Sequence, residues 1–251
     1  MTFQKLAKNF NNYTITNKKS FVEDILLNDF IDKVFDFAYG MSFGNIGEHR
    51  KHRSGGQYDR KNGELFINTF QGKLCEFGLY KVLGKNGLIT SIPDLDMWGT
   101  GKWDDVDLII NNKKLNVKSA SFFSNLLLLE TKDWDLNGNY IPNYNKTISN
   151  YDFHILARLK PDSKSLMSRN RLLYSNEVEK KLLFDLIKKE NWFFDVAGYI
   201  SHEDLKNIII NKHIIEQNSF LNERTKMDAD NYYCQSGDMN SINELINILK
   251  L

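Results

Sequence analysis

The feature that most constrains the fold is a pair of short apolar segments joined by four Asn and Lys residues. Residues 105–110 read DVDLII, and residues 115–119 read LNVKS. The connection between them, residues 111–114, reads NNKK. Runs of β-forming residues around a short Asn-rich connection favour a β-hairpin. The chain is therefore expected to contain a β-sheet that includes this hairpin.

The alternation of side chains along a strand predicts which polar residues of the hairpin meet. Asp105 and Asp107 share one face of the first strand, and Asn116 and Lys118 share one face of the second. The Leu, Ile and Val residues between them are expected to face the core. Grouping a carboxylate, an amide and an ammonium beside a core costs desolvation energy. The cluster therefore indicates a functional site. The alternative interpretation is an exposed hairpin with solvated charges.

The remaining periodicity predicts an α/β protein with a mixed central β-sheet flanked by helices. Apolar residues at helical spacing predict helices, and short runs of β-forming residues predict further strands. Helices are expected over 19–39, from about 67–69 to 83, over 176–189 and over 202–211. Ser20 and Glu23 have the spacing of a capping box at the start of the first helix. Strands are expected over 88–92, 153–159 and 193–200. The 251 residues fit one domain, with a core of about 64–200, an N-terminal helical part and a C-terminal extension.

This order of elements resembles the core of the PD-(D/E)xK nucleases, and in particular type II restriction endonucleases. In that family a helix with a Glu precedes a strand with an Asp, a hairpin, and then an acidic residue, any residue and Lys. Here Asp107 matches the strand Asp, Asn116-Val117-Lys118 matches the tripeptide in spacing, and Glu76 matches the helical Glu. Residues 151–158 resemble the next core strand. The resemblance covers roughly 72–159 and implies a restriction-endonuclease-like core.

The resemblance also implies a function, which is sequence-specific cleavage of double-stranded DNA. It implies Mg²⁺ as the cofactor, with Asp107, Asn116 and Glu76 as ligands, and with Lys118 as a further catalytic residue. Magnesium prefers oxygen ligands, activates a water molecule and stabilises charge on the attacked phosphate. A neighbouring Lys positions or deprotonates that water. A homodimer is expected, because palindromic DNA sites favour two-fold protein symmetry.

Asn116 departs from the family pattern, which usually has Asp or Glu at this position. The Asn side chain still offers a carbonyl oxygen, but it is neutral and a weaker metal ligand. Three explanations are open: the family tolerates Asn here, an acidic residue has been replaced to inactivate the enzyme, or the fold is kept without activity. The dipeptide Pro93-Asp94 ranks below Asp107 as the strand acid, because no strand pattern surrounds it.

A basic, glycine-containing segment before the Glu76 helix is the candidate DNA-binding region. Its predicted contact residues are His49, Arg50, Lys51, His52, Arg53, Ser54, Gln57 and Arg60. Arg and Lys bind phosphate, Arg also reads guanine edges, and Gly lets backbone N–H groups approach closely. The alternative is an ordinary solvated loop, which is the usual fate of a charge run.

Composition limits the other function classes. The net charge of +1 argues against a protein that coats nucleic acid over its whole surface. The two cysteines have no metal-site spacing, and no apolar run suits a signal peptide or a membrane span, so a cytoplasmic protein is expected. Two other functions remain open: a non-catalytic DNA-binding module of the same fold, and a structure-specific repair or recombination nuclease.

Overall fold

The computed structural model describes residues 2–44, 60–95, 106–143 and 150–251, and these form a mixed α/β protein. The helices are α1 (Ile31–Phe43), α2 (Asn62–Lys85), α3 (Ser163–Arg169), α4 (Lys180–Lys188), α5 (His202–Ile210) and α6 (Ile242–Leu249). The strands are β1 (Ala7–Asn9), β2 (Asn12–Thr14), β3 (Ile25–Leu26), β4 (Leu108–Ile110), β5 (Lys113–Ser121), β6 (Leu126–Glu130), β7 (Phe153–Lys160), β8 (Phe193–Ser201), β9 (Ile214–Ile215), β10 (Phe220–Leu221), β11 (Thr225–Lys226) and β12 (Asn231–Gln235).

A five-stranded mixed sheet lies at the centre, in the order β3-β8-β7-β5-β4. β4 and β5 form the predicted antiparallel hairpin, β5 runs parallel to β7, and β7 runs antiparallel to β8. Helices α1 and α2 pack on one face of this sheet, and α5 packs on the other. The predicted α/β class and the mixed sheet flanked by helices are confirmed.

The turn between β4 and β5 explains why the hairpin forms at this place. Asn111 and Asn112 adopt positive φ angles of 46° and 61°. Asn tolerates this left-handed conformation, and such turns match the twist of paired strands. The turn aligns Leu108 with Leu115 across the hairpin. The side-chain amide of Asn111 also donates to the carbonyl of Leu249 at 2.7 Å, which ties the turn to the end of α6.

The main hydrophobic core lies between the central sheet and helix α2. Phe66, Phe70 and Phe77 of α2 are fully buried, and they pack with Leu115 of β5 and Ile155 of β7. Such burial removes large apolar surfaces from water, which is the main stabilising term of a fold. The outward face of β5 is therefore the face opposite α2.

Helix α2 begins at Asn62, several residues earlier than the predicted start near 67–69. The Glu64 carboxylate accepts a hydrogen bond from the backbone N–H of Lys61, which stabilises the first turn. Leu65 and Phe66 are already buried. The first turn is thus held by a cap and by core contacts, and the apolar periodicity further along did not reveal it.

The prediction of a helix over 19–39 is wrong for the first half of this range. Residues 17–24 have no regular secondary structure, and the short strand β3 follows them before α1 begins. The backbone here is held by distant side chains: the Val22 N–H donates to Asp195 at 3.0 Å, and the Ser20 carbonyl accepts from Arg158. Glu23 pairs with Lys160 and does not cap a helix. Long-range hydrogen bonds therefore override the local helical pattern.

The strand predicted over 88–92 is also wrong, and the helix predicted over 176–189 is shorter than expected. Leu88 is buried in the core, but residues 88–92 pair with no other strand. Helix α4 starts only at Lys180, because backbone carbonyls before it accept hydrogen bonds from side chains of other helices. The carbonyl of Asn176 accepts from the Asn62 side chain of α2, and the carbonyl of Val178 accepts from the Tyr39 hydroxyl of α1. The strands predicted over 153–159 and 193–200 and the helix over 202–211 are confirmed within one residue at each end.

A buried ion pair joins the central sheet to the N-terminal segment. The guanidinium of Arg158 on β7 donates to both carboxylate oxygens of Asp195 on β8, at 2.8 and 2.6 Å. It also donates to the carbonyl oxygens of Lys19 and Ser20, at 2.9 and 3.0 Å. The Arg158 side chain is only 1% exposed. A bidentate pair with further hydrogen bonds of this kind satisfies the donors of the buried guanidinium.

Two smaller sheets complete the fold. β6, β12 and β9 form a three-stranded sheet that packs with α5 against the face of the central sheet opposite α2. β1, β2, β10 and β11 form a four-stranded sheet, in which β2 and β10 run parallel. Within the described ranges no helix is both long and apolar enough to cross a membrane.

Candidate functional site

The polar face of β5 is the starting point of the site. Leu115 and Val117 contact the core beneath α2, so alternation places Asn116 and Lys118 on the opposite face. This is the arrangement that the sequence predicts. The tight Asn111-Asn112 turn fixes the register, so both side chains have defined positions.

Asp107 stands directly before β4 and opposite Asn116. The register pairs Leu108 with Leu115, which places the next pair at 107 and 116. One carboxylate oxygen of Asp107, Oδ2, accepts the backbone N–H of Val117 at 2.6 Å. This bond fixes the carboxylate against β5. The hairpin thus brings Asp107, Asn116 and Lys118 together.

The Asn116 side chain is buried, but its hydrogen bonding is incomplete. Asn116 is 3% exposed, and its Oδ1 has no hydrogen-bond partner among the described residues. An unsatisfied buried acceptor costs about 1–3 kcal/mol, and such groups in folded proteins are usually satisfied by water, an ion or a ligand. The carbonyl oxygen of Asn116 is therefore available to a bound group.

His154 on β7 lies beside Asn116 in the parallel pairing of β5 and β7. It is fully buried, its ring centre lies 5.0 Å from that of Trp134, and neither ring nitrogen has a hydrogen bond to any described residue. Burial, together with the charge of Lys118 and the proximity of His202, lowers the pKa of His154 from 6.5 to about 3. His154 is thus a neutral core residue at physiological pH and not a base.

A pH dependence of stability follows from His154. Because its pKa is lower in the folded state, its contribution to stability is present above pH 6.5 and is lost as pH falls from 6.5 toward 3. Below 6.5 this loss is about 1.4 kcal/mol per pH unit. Chemical unfolding between pH 7 and 5 of the wild type and of the His154→Phe variant should show a steeper decline for the wild type. Parallel curves would contradict the neutral buried state.

Lys118 lines a cleft with a volume of about 440 Å³ between β5 and the end of β6. Its lining includes both acidic and basic side chains. Two aromatic side chains and the first residue of β12 also line it. The acidic lining residues are Glu130, Asp133 and Asp228, the basic ones are Arg60, Lys118 and Lys226, and Trp134, Tyr140 and Asn231 also contribute. A cleft with both carboxylates and cations suits a ligand that carries both charges, such as a metal ion with a phosphate.

The structure places Glu76 away from this cleft. Glu76 lies on α2, on the face of the sheet opposite the side chains of Asn116 and Lys118. It is 7% exposed and forms an ion pair with Lys73 at 2.9 Å. The hairpin therefore brings together three of the four predicted catalytic residues, of which Lys118 also lines the cleft. Asp107, Asn116 and Glu76 are not lining residues of the cleft, and Glu76 differs from the other two in lying across the sheet from Lys118.

The predicted DNA-binding segment is described only at its end. His49, Arg50, Lys51, His52, Arg53, Ser54 and Gln57 lie outside the described residues, as does Asp105. Arg60 is described, and it lines the same cleft as Lys118. The end of the basic segment therefore adjoins the cleft.

A magnesium ion fits this donor set through few protein ligands. Among the described residues no three His, Cys, Asp or Glu side chains are grouped closely enough to hold a metal by themselves. Magnesium commonly takes only one or two protein carboxylates and completes its octahedral shell with water and phosphate. The Asp107 carboxylate and the unsatisfied Oδ1 of Asn116 are hard oxygen donors of the required kind.

Sequence reasoning missed the far wall of the cleft. Glu130, Asp133 and Trp134 follow the apolar run of β6, and Asp228 is almost a hundred residues further along. The one local signal is the change from four Leu residues to Glu130 at the end of the run. Comparisons of the chain with protein-family models, curated proteins and solved structures give no match. A function for this chain therefore rests on the geometry of its own residues.

Proposed function

We propose that the protein is a magnesium-dependent endonuclease that cleaves double-stranded DNA at specific sequences, with a restriction-endonuclease-like core. The observation that carries the proposal is the hairpin geometry. Asp107 and Asn116 face each other at its base, and Lys118 projects from the same face of β5 into the 440 Å³ cleft. The order of α2, the β4–β5 hairpin and β7 follows the order that the resemblance to PD-(D/E)xK nucleases implies.

The residues of the hairpin have distinct roles in this proposal. Asp107, held by the Val117 N–H, and the carbonyl oxygen of Asn116 would hold the ion. Magnesium, when bound, supplies activation of water and stabilisation of charge on the phosphate. The Lys118 ammonium approaches the phosphate from within the cleft, where it stabilises developing negative charge and orients the attacking water. Fully buried neutral His154 lies beside Asn116 and adds no competing positive charge.

DNA contact is assigned to the basic segment that ends at Arg60. Arg60 lines the cleft, and five consecutive basic residues stand shortly before it in the sequence. Arg and Lys side chains neutralise backbone phosphates, so binding is expected to weaken as salt concentration rises. A homodimer on a palindromic site is part of the proposal, because two-fold DNA symmetry is matched by two-fold protein symmetry.

The decisive experiment is digestion of long unmethylated plasmid and phage DNA, with magnesium and with chelator. The protein and its Asn116→Asp variant are compared side by side. The variant adds a charged oxygen ligand, so it should lower the magnesium concentration for half-maximal cleavage by about tenfold, equivalent to about 1.4 kcal/mol. Discrete magnesium-dependent fragments are the expected result.

The outcomes separate the three explanations of Asn116. Cleavage by the wild type means that Asn is tolerated, and cleavage by the variant alone means that Asn116 blocks activity. No cleavage by either protein would overturn the nuclease proposal.

The second candidate function is a non-catalytic DNA-binding module. Two observations favour this candidate. The side chain of Asn116 is neutral and buried, and the described residues offer no group of three metal-binding His, Cys, Asp or Glu side chains. This candidate predicts that DNA binding, measured by fluorescence anisotropy, is unchanged by chelator, and that Asn116→Asp does not create cleavage. Binding that requires a divalent ion would argue against it.

A further inference from the structure

We propose that Glu130 provides the second carboxylate of the metal site, so that the ion lies between the β4–β5 hairpin and the end of β6. This inference rests on the proposed function. It identifies a ligand outside the hairpin and outside α2, and it assigns to a residue of β6 the charge that Asn116 does not have.

The position of Glu130 is the first argument. Glu130 is the last residue of β6, and it lines the same cleft as Lys118. Its backbone is fixed by pairing with Asn231 of β12, and its side chain is 21% exposed. A ligand on a strand holds its geometry better than a ligand on a loop. Of the other acidic lining residues, Asp133 ends a short 3-10 helix and Asp228 is exposed in a loop.

The unsatisfied oxygen of Asn116 is the second, independent argument. Asn116 is 3% exposed, and its Oδ1 lacks a hydrogen bond to the described part of the chain. It projects from the same face of β5 as Lys118, which is the face on which the cleft lies. A cation between the hairpin and β6 would satisfy this oxygen. The hairpin itself offers the ion only one described carboxylate, that of Asp107.

Charge balance favours two carboxylates. Asp107 and Glu130 together carry a charge of −2, which matches a divalent cation, and Lys118 then matches the charge of one phosphodiester. Glu130 also forms an ion pair with Lys132, whose Nζ lies 3.8 Å from Glu130 Oε2, and a bound cation would compete with this partner.

Binding of Mn²⁺, followed by the electron paramagnetic resonance signal of the free ion without DNA, tests the inference. The full chain is compared with Glu130→Gln, which keeps the shape and removes the charge. Asp228→Asn is the matched control, because it removes the same charge from an exposed position on the same cleft. Glu130→Gln should weaken Mn²⁺ binding about tenfold or more, and Asp228→Asn by less than about threefold.

A rescue variant separates ligand loss from misfolding. Adding Asn116→Asp to Glu130→Gln restores a second carboxylate to the same site, so Mn²⁺ affinity should return to within about threefold of the wild type. Circular dichroism and thermal unfolding establish that each variant is folded. A folded Glu130→Gln protein with wild-type affinity, or equal losses in Glu130→Gln and Asp228→Asn, would overturn the inference.

The same proteins in the DNA digestion assay keep the two proposals apart. If the wild type cleaves DNA and Glu130→Gln binds Mn²⁺ normally, the role of Glu130 is overturned and the nuclease proposal stands. If Mn²⁺ binding depends on Glu130 but no DNA is cut, the metal site stands and the nuclease proposal fails. A wild-type protein that binds no Mn²⁺ overturns the inference.

Discussion

In the proposed nuclease, replacing Lys118 with alanine is expected to lower the rate of DNA cleavage by about a hundredfold to a thousandfold, the range typical of removing one group that stabilises developing negative charge. The ammonium of Lys118 lies in the cleft, on the same strand face as Asn116. In the proposed mechanism, its removal takes away the positive charge that stabilises the attacked phosphate, and it leaves the Asp107–Val117 contact intact. Single-turnover cleavage at saturating magnesium measures the effect on the chemical step.

Lys226→Ala is the matched control for this variant. Lys226 is exposed on β11 and lines the same cleft, so its loss removes one positive charge at a similar place. DNA affinity should fall by a similar small factor in both variants, whereas the rate of the chemical step should fall only for Lys118→Ala. Equal rates for the two variants would show that Lys118 only attracts DNA.

Replacing Arg158 with alanine is expected to lower the free energy of unfolding by about 3–5 kcal/mol, because it leaves the Asp195 charge buried and uncompensated. Asp195 is 6% exposed, and both its oxygens accept hydrogen bonds from Arg158. The variant also removes the donors to the carbonyl oxygens of Lys19 and Ser20. Urea unfolding followed by tryptophan fluorescence measures the loss.

The double variant Arg158→Met with Asp195→Leu isolates the cause. It removes both charges and keeps similar volumes, so it should be clearly more stable than Arg158→Ala. Arg169→Ala provides a surface comparison, since Arg169 is exposed, and it should change stability by less than about 0.5 kcal/mol. A loss in the double variant as large as that in Arg158→Ala would mean that the hydrogen bonds to residues 19 and 20 dominate.

The hairpin could be predicted from sequence because all of its determinants are local. The Asn111-Asn112 turn, the alternation along β5 and the Asp107 position lie within a few residues of one another. A strand period of two residues also fixes which side chains share a face. The grouping of Asp107, Asn116 and Lys118 therefore followed from the sequence alone.

The errors have the opposite origin, since they come from contacts between distant parts of the chain. The segment before α1 has apolar residues at helical spacing, but Asp195 and Arg158 hold its backbone in a non-helical conformation. The placement of Glu130 in the cleft depends on the pairing of β6 with β12, about one hundred residues later. The hydrophobic periodicity of a short sequence segment does not reveal contacts with residues so far away in the chain.

The parallel pairing of β2 with β10 has a consequence for the order of folding. Tyr13 of β2 donates a hydrogen bond to Glu216, which is 203 positions away, and Phe220 of β10 aligns with Asn12. Closing so long a loop is entropically costly and slow, and a chain that grows from its N-terminus cannot close it until β10 has emerged. The strands of the β4–β5 hairpin and β7 are synthesised well before that point. The nascent chain can therefore assemble the centre of its main sheet first, while β1 and β2 wait without their partner strands.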